Sequence, residues 1–154
     1  MPTLQFSSKP FEALTVYELY DIMALRQEVF VVEQNCPYLD ADGKDLHAWH
    51  IMGRNEEGDL VAYTRVLPPG VSYEGYASIG RVVSAPEVRR SGAGRLIMEH
   101  SLALCRALLG PTPPVKISAQ TYLVRFYESF GFRSTGEEYL EDGIPHVAMV
   151  LTSD

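Results

Sequence analysis

A strand that leads through an arginine- and glycine-rich loop into a helix is the feature that most constrains the fold of this 154-residue chain. The apolar run Ala77–Ser84 predicts a buried strand, and Pro86 ends any further pairing. A helix is predicted over Gly92–Leu109, with apolar residues recurring along one side. A strand that enters a helix through a loop of this kind favours a fold that mixes both element types.

The loop between this strand and this helix is suited to binding phosphate. Arg89, Arg90 and Arg95 supply charged donors, and Gly92 and Gly94 allow a ligand to approach the backbone. The start of a helix adds unpaired N–H groups and the positive end of the helix dipole. An ordinary strand–helix turn is the alternative, but it needs neither the glycines nor the arginines. A Walker loop is absent and the dinucleotide fingerprint is incomplete, so coenzyme A is the leading candidate.

The remaining pattern predicts alternating helices and strands. A helix is expected over Val16–Phe30, where Thr15 and Glu18 form a capping box at its start. The other predicted elements are strands at His47–Met52, Leu60–Leu67, Val115–Ala119, Phe132–Arg133 and His146–Leu151, and a short helix at Tyr122–Phe130. We therefore expect an α/β (α+β) fold with a mixed sheet, in one domain over residues 1–154.

Composition and charge narrow the classes of partner. A net charge of −7 opposes binding to a phosphate backbone and favours small cationic partners such as amines. No apolar run is long enough for a transmembrane helix, and the first residues do not resemble a signal peptide. With only Cys36 and Cys105, a disulfide framework is not expected. We therefore predict a cytoplasmic protein that binds neither nucleic acid nor a membrane, and a homodimer is left open.

The acidic segment Asn35–Gly43 invites comparison with a calcium loop. The spacing does not fit, because Gly43 is the fourth residue from Asp40 rather than the sixth, and Ile51 stands where the loop needs a glutamate. The segment is therefore predicted to be a solvated acidic loop, and no metal site is expected.

Four blocks of sequence resemble one known family. Arg89-Arg90-Ser91-Gly92-Ala93-Gly94 resembles the Arg/Gln-x-x-Gly-x-Gly/Ala signature of the GNAT superfamily of N-acetyltransferases. Phe126–Phe132 looks like the second motif of that superfamily, at the expected helix–strand–helix spacing. Arg26–Tyr38 and Asp142–His146 look like the ElaA-type branch. The blocks occur in the right order and cover nearly the whole chain, so the chain is identified as a member.

The resemblance implies a sheet splayed open at a bulge in its central strand, with helices on its flanks and acetyl-CoA in the opening. By resemblance, the pantetheine arm bonds the backbone of Val82, Val83 and Ser84. The pyrophosphate would lie on the loop of residues Arg89, Arg90, Ser91, Gly92, Ala93, Gly94 and Arg95. Two cofactor positions depart from the pattern. Many relatives have an apolar residue in place of Ser84, and many have asparagine near Gln120.

The chemistry of acetyl transfer selects candidate catalytic residues. The reaction needs a neutral amine, a polarised thioester carbonyl and a proton for the departing thiolate. Tyr127 suits the acid role by type and by family position, and a core tyrosine is the alternative. Glu33, His50 and His146 are candidate bases. A lone histidine in a strand is more often structural, and Glu33 fits a structural ion pair equally well.

Three arginines are candidate substrate-binding residues. Arg26 falls within the apolar stripe of the first helix, as a snorkelling side chain or as an inward cation for a substrate or a buried acid. Arg65 and Arg81 lie on neighbouring predicted strands, where they would bind a substrate carboxylate or form surface ion pairs.

The resulting prediction is an N-acetyltransferase that moves the acetyl group of acetyl-CoA directly to a primary amine of a small molecule or peptide. A CoA-binding sensor or interaction domain without catalysis is the alternative. A generic phosphate-binding module would bind nucleotides as tightly as CoA.

Overall fold

The computed structural model describes residues 3–151. Within this range the strands are β1 (Gln5–Pro10), β2 (Trp49–Arg54), β3 (Leu60–Leu67), β4 (Ser78–Ser84), β5 (Lys116–Gln120), β6 (Phe132–Glu141) and β7 (Ile144–Leu151). The α-helices are α1 (Val16–Arg26), α2 (Ala93–Leu109) and α3 (Val124–Glu128). No helix in residues 3–151 is long and apolar enough to cross a lipid bilayer.

The strands form two antiparallel sheets that meet at one point. The first has the order β1-β2-β3-β4 and the second β5-β7-β6. Within residues 3–151 they are joined by one parallel bridge, between Ala77 and Val115. Ile97 and Met98 of α2 pack in a core that spans both sheets, whereas Ile22 and Leu25 of α1 pack in a second cluster on the first sheet. The predicted α/β fold, with a splayed mixed sheet, is confirmed.

The first helix begins as predicted but ends differently. Thr15 Oγ1 accepts from Glu18 N at 3.0 Å and Glu18 Oε1 accepts from Thr15 N at 2.9 Å, which confirms the capping box. The α-helix ends at Arg26 instead of Phe30 and widens into a π-helical segment over Gln27–Glu33. Segments of this kind are rare and frequent at functional sites. Here the segment leads the chain to one wall of the cleft described below.

The central strand carries the predicted bulge. Tyr63 of β3 lies opposite Val83, and Arg65 lies opposite Gly80. Only Thr64 therefore faces the two residues Arg81 and Val82. Arg81 takes a left-handed backbone conformation with φ +50°, as the extra residue of a bulge often does.

The terminal hairpin is longer than the sequence indicated. β6 extends to Glu141, whereas only Phe132–Arg133 was predicted. Residues 133–141 are exposed, so the strand lacks the apolar alternation by which a half-buried strand is recognised. Its length brings Glu141 to the cleft.

Candidate active site

The two sheets open between β4 and β5. Ala77 N donates to Pro114 O at 2.9 Å, and Lys116 N donates to Ala77 O at the same distance. Beyond this bridge β4 pairs with β3 alone, and its other edge faces the opening. An unpaired strand edge offers N–H and C=O groups to any extended ligand that enters.

The register decides which groups of β4 face the opening. Ala85 N donates to Val61 O at 2.8 Å, so the main chain of Ala85 points at β3. Because the main-chain N–H and C=O groups of successive residues point to opposite edges of a strand, those of Val83 also point at β3, opposite Tyr63. Ser84 then faces the opening, and the bulge turns Val82 out of the ladder. Of the three expected pantetheine contacts, Val82 keeps a free main-chain edge, Ser84 faces the opening although its carbonyl accepts from Arg89 Nε, and Val83 is corrected to a partner of Tyr63.

The start of α2 lies beside this open edge. Gly92 precedes the helix with φ +93°, a conformation that residues with a side chain rarely adopt, and no side chain of residues 3–151 caps the first turn. The first hydrogen bond of the helix runs from Leu96 N to Gly92 O at 3.0 Å, which leaves the N–H groups of residues 93–95 without partners in the helix. A Cβ on Gly94 would lie 3.8 Å from Ser84 Oγ, so the helix approaches the end of β4 closely. These groups fit a pyrophosphate.

The three arginines near this helix start are not equivalent. Arg89 forms a two-pronged ion pair with Glu33 and donates from Nε to Ser84 O at 3.1 Å. Arg95 donates to Ser129 Oγ at 2.7 Å and lies 4.5 Å from the Phe130 ring centroid. Only the Arg90 guanidinium makes no side-chain hydrogen bond or ion pair with the described residues. The expectation of three available donors is therefore corrected to one, with Arg89 having to exchange partners.

The opening continues into a cleft of about 380 Å³. All of the following predicted site residues belong to its lining: Val82, Gln120 and Tyr127 for the cofactor, Arg65 and Arg81 for the substrate, and the candidate base His146. Tyr127 packs edge-on against Phe126 and Phe132, and burial raises the pKa of its phenol to about 12. Its hydroxyl makes no hydrogen bond with the described residues. Among the described residues, Arg65 Nε is the only side-chain polar atom that is both fully buried and without a partner. The Tyr127 hydroxyl has no partner, so it is not fully buried and is open to the cleft.

An ion-pair cluster of three arginines and three aspartates forms and supports another part of the wall. Arg26 is fully buried, and it donates to Asp40 and Asp45 at 2.7 Å each. Arg65 is bidentate to Asp42 at 2.7 and 2.8 Å and reaches Asp45 at 3.0 Å. Arg81 Nε donates to Asp40 at 2.8 Å. Burial tends to raise the pKa of Asp45, but the hydrogen bonds from Arg26 and Arg65 outweigh it and lower that pKa.

This cluster refines two expectations. The segment Asn35–Gly43 is largely exposed, as predicted, but its acidic side chains are not free in solvent, because Asp40 and Asp42 bind arginines of the core and of the bulge. Arg26 is fully buried and lies behind the cleft lining, so of its predicted roles the structure shows the inward cation for a buried acid. Arg65 and Arg81 line the cleft, but their charges are already neutralised.

Two of the three candidate bases lie outside the cleft lining. His50 is fully buried, with Nε2 2.9 Å from Asp45 O and Nδ1 2.6 Å from the Tyr63 hydroxyl. The carbonyl can only accept, so Nε2 carries the proton and Nδ1 accepts from Tyr63. Burial lowers the pKa of this imidazole, which makes it a weaker base. Glu33 is paired with Arg89, which lowers the pKa of its carboxyl and makes it a weaker base. The expectation that His50 or Glu33 is the base is therefore corrected.

His146 is the candidate base that the fold places in the cleft. It is 6% exposed, and its Nδ1 lies 2.7 Å from Ile144 O. Its Nε2 lies 3.7 Å from Glu141 Oε2. Ser118 and Tyr139 complete the group, with Ser118 Oγ 3.1 Å from Glu141 Oε1. Sequence reasoning missed Glu141, whose only signal was its position in the turn before Gly143.

Comparisons with known proteins agree with this geometry. The family model described as an acetyltransferase (GNAT) domain matches residues 46–153. Protein ElaA of Escherichia coli is 45% identical over 139 residues, which cover 88% of each chain. An acyl-CoA N-acyltransferase structure from Pseudomonas aeruginosa is 43% identical with a TM-score of 0.91, and covers 97% of this chain and 100% of that one. The structure of Escherichia coli ElaA gives a TM-score of 0.89 at 38% identity, with the same coverage.

The matched family model covers most of the chain, and the ElaA relatives extend the likeness to the segments before it. The splayed sheet, the bulged central strand and the glycine-rich helix start agree with what the resemblance implied. The chain belongs to the GNAT acetyltransferase family and is a homologue of ElaA.

Proposed function

We propose that this protein is an N-acetyltransferase that moves the acetyl group of acetyl-CoA directly to a primary amine of a small molecule or peptide. The observation that carries the proposal is the open edge of β4 beside the uncapped start of α2, with the Tyr127 hydroxyl in the same cleft. A strand edge suits the amide groups of a pantetheine arm, and a helix start suits its pyrophosphate.

Each group has a task that its surroundings support. Bound acetyl-CoA supplies a thioester whose carbon accepts a nucleophile and whose sulfur departs. The main chain of Val82 and Ser84 and the N–H groups of residues 93–95 hold and orient it. Tyr127 keeps its proton at neutral pH, as does any phenol with the ordinary pKa of about 10, and its hydroxyl can donate to a departing thiolate. His146 Nε2 can take a proton from the incoming amine.

We propose that acetyl, rather than another acyl group, is transferred. We also propose that residues 1–154 form a single domain and that the protein is cytoplasmic. The alternative of a non-catalytic acyl-CoA sensor needs the same open edge but has no use for the Tyr127 hydroxyl or for an unpaired imidazole nitrogen in the cleft.

The test is turnover of acetyl-CoA with a panel of primary amines, followed by release of free thiol. We expect release that depends on the amine and is lost with secondary amide controls. Tight binding of acetyl-CoA without release for any amine would support the sensor instead.

A further inference from the structure

The end of the cleft formed by the β6–β7 hairpin holds a buried imidazole with one unpaired nitrogen. His146 Nδ1 lies 2.7 Å from Ile144 O, and a carbonyl can only accept, so Nδ1 carries the proton. The lone pair of the neutral ring is therefore on Nε2. Nε2 makes no hydrogen bond with the described residues and is not among their fully buried unpaired atoms, so it is open to the cleft.

A carboxylate stands beside that nitrogen without satisfying it. Glu141 Oε2 lies 3.7 Å from Nε2, too far for a hydrogen bond. The other oxygen, Oε1, accepts from Ser118 Oγ at 3.1 Å, and Ser118 Oγ lies 2.5 Å from the Tyr139 hydroxyl. With Ser118 donating to Glu141, the Tyr139 hydroxyl donates to Ser118. These two hydrogen bonds fix the carboxylate and leave Glu141 Oε2 and His146 Nε2 as two adjacent acceptors.

The charge at this end is not balanced. Glu141 and Asp142 form no ion pair with a lysine or arginine of residues 3–151, whereas Asp40 and Asp42 are paired with arginines. Lys44, the remaining cation of the cleft lining, donates to Ser72 Oγ at 2.9 Å and forms no ion pair with Glu141 or Asp142. A ligand that brings N–H donors and a positive charge would satisfy both free acceptors at once.

We propose that Glu141 and His146 form the acceptor's ammonium site, and that the acceptor is an alkylamine without a carboxylate on the carbon that bears the nitrogen. This inference rests on the proposed function and deepens it. One N–H of the ammonium donates to Glu141 Oε2, and another donates to His146 Nε2. A neighbouring carboxylate would be repelled by Glu141 and Asp142.

The transfer balances with these groups. His146 Nε2 takes one proton from the ammonium, and the neutral nitrogen forms its bond to the acetyl carbon as the carbon–sulfur bond breaks. The departing sulfur takes the proton of Tyr127 Oη, and the phenolate takes the second proton from the new amide nitrogen. His146 then releases its proton to solvent, so each turnover yields an amide, a thiol and one proton.

Substrate pairs that differ only by a carboxylate test the acceptor class. Tyramine and agmatine are compared with tyrosine and arginine in wild type, in Glu141→Gln and in Glu138→Gln. Glu138→Gln removes the same charge from the same strand at a residue outside the cleft lining. We expect wild type and Glu138→Gln to favour the amines by ~10-fold or more in kcat/KM, and Glu141→Gln to lose most of that preference.

A second pair of acceptors tests the proton transfer. Propylamine is protonated at neutral pH, whereas aminoacetonitrile is largely unprotonated and needs no base. We expect His146→Gln to lower kcat by ~100-fold with propylamine and by much less with aminoacetonitrile. A structural role for His146 would lower both equally. Thermal melting shows whether each variant is folded.

The outcomes separate the two proposals. No thiol release by wild type with any amine overturns the proposed function and this inference with it. Release that is unaffected in Glu141→Gln, with unchanged preference for the amines, overturns the Glu141 site alone. Equal loss with both acceptors in a folded His146→Gln variant overturns the base.

Discussion

Two groups of charged side chains form walls of the same cleft, and they are built in opposite ways. In the Arg26–Asp40–Asp42–Asp45–Arg65–Arg81 cluster, three positive charges meet three negative ones, and its six side chains are linked by hydrogen bonds at 3.4 Å or less. At the hairpin end, Glu141 and His146 lie 3.7 Å apart and do not satisfy each other. In the first arrangement the charges satisfy one another, and in the second two acceptor atoms stay open to the cleft. The balance of charge therefore distinguishes side chains that are paired with each other from side chains that are available to a ligand in the same cleft.

The largest expected effect is on the free energy of unfolding, when the ion-pair cluster loses one carboxylate. Asp45→Asn removes the carboxylate shared by Arg26 and Arg65 and leaves buried charge without compensation. We expect the free energy of unfolding to fall by about 3 kcal/mol, as when one partner of a buried ion pair is removed. Chemical denaturation measures it, and Glu141→Gln is the matched control, with an expected change below about 0.5 kcal/mol.

The same cluster predicts a dependence of stability on pH. Because the pKa of Asp45 is lowered in the folded protein, its stabilisation is complete above the ordinary aspartate pKa of about 3.9 and is lost as the pH falls below it. Wild type should therefore lose stability more steeply than Asp45→Asn below about pH 4. Parallel curves for the two proteins would mean that Asp45 is not held as an ion pair.

Tyr127→Phe tests the proposed proton donor. The ring keeps its packing against Phe126 and Phe132, and only the hydroxyl open to the cleft is lost. We expect kcat to fall by ~100-fold with affinity for acetyl-CoA nearly unchanged. Steady-state kinetics and calorimetry give the two quantities, and an unchanged kcat with chemistry limiting would make Tyr127 a packing residue.

Gly94→Val tests the close approach of α2 to β4. A Cβ at this position would touch Ser84 Oγ and the Phe126 ring at 3.8 Å, an ordinary contact, and the further methyl groups would extend beyond it. We expect acetyl-CoA to bind ~10-fold more weakly to the Val variant, about 1.4 kcal/mol, and nearly normally to Gly94→Ala. Equal affinity for both would mean that the phosphates lie elsewhere.

The smallest expected effect concerns the exposed arginine of the loop. Arg90→Ala should weaken acetyl-CoA binding by ~2–5-fold at low salt, because exposed charge contacts contribute about 0.2–1 kcal/mol. The loss should shrink as salt is added. Arg106→Ala, at an exposed arginine in the last turn of α2, is the control and should have no effect.

The sequence predicted what depends on neighbouring residues. The phosphate loop, the capping box and the order of the predicted elements follow from local patterns, and the structure confirms the capping box and that order. The ion-pair cluster could not be predicted, since Arg26 and Arg81 reach Asp40 across 14 and 41 positions of the chain. Ser118 and Glu141 are likewise 23 positions apart and meet only because β6 is longer than its polar sequence suggests.

His50 and His146 illustrate the same limit. Both are strand histidines that sequence alone could not distinguish. In the fold, both nitrogens of His50 have partners, whereas His146 keeps one open to the cleft. Hydrogen-bond partners, not residue type, decide which of them can act as a base.

Product stoichiometry tests most directly whether the open half of the cleft transfers an acetyl group to an amine. Wild type is incubated with acetyl-CoA and tyramine, thiol is titrated, and N-acetyltyramine is counted by mass spectrometry in the same sample. We predict one acetylated amine for every thiol released, with both lowered together in Tyr127→Phe. Thiol release without acetylated amine, or bound acetyl-CoA that releases no thiol with any acceptor, would contradict the account.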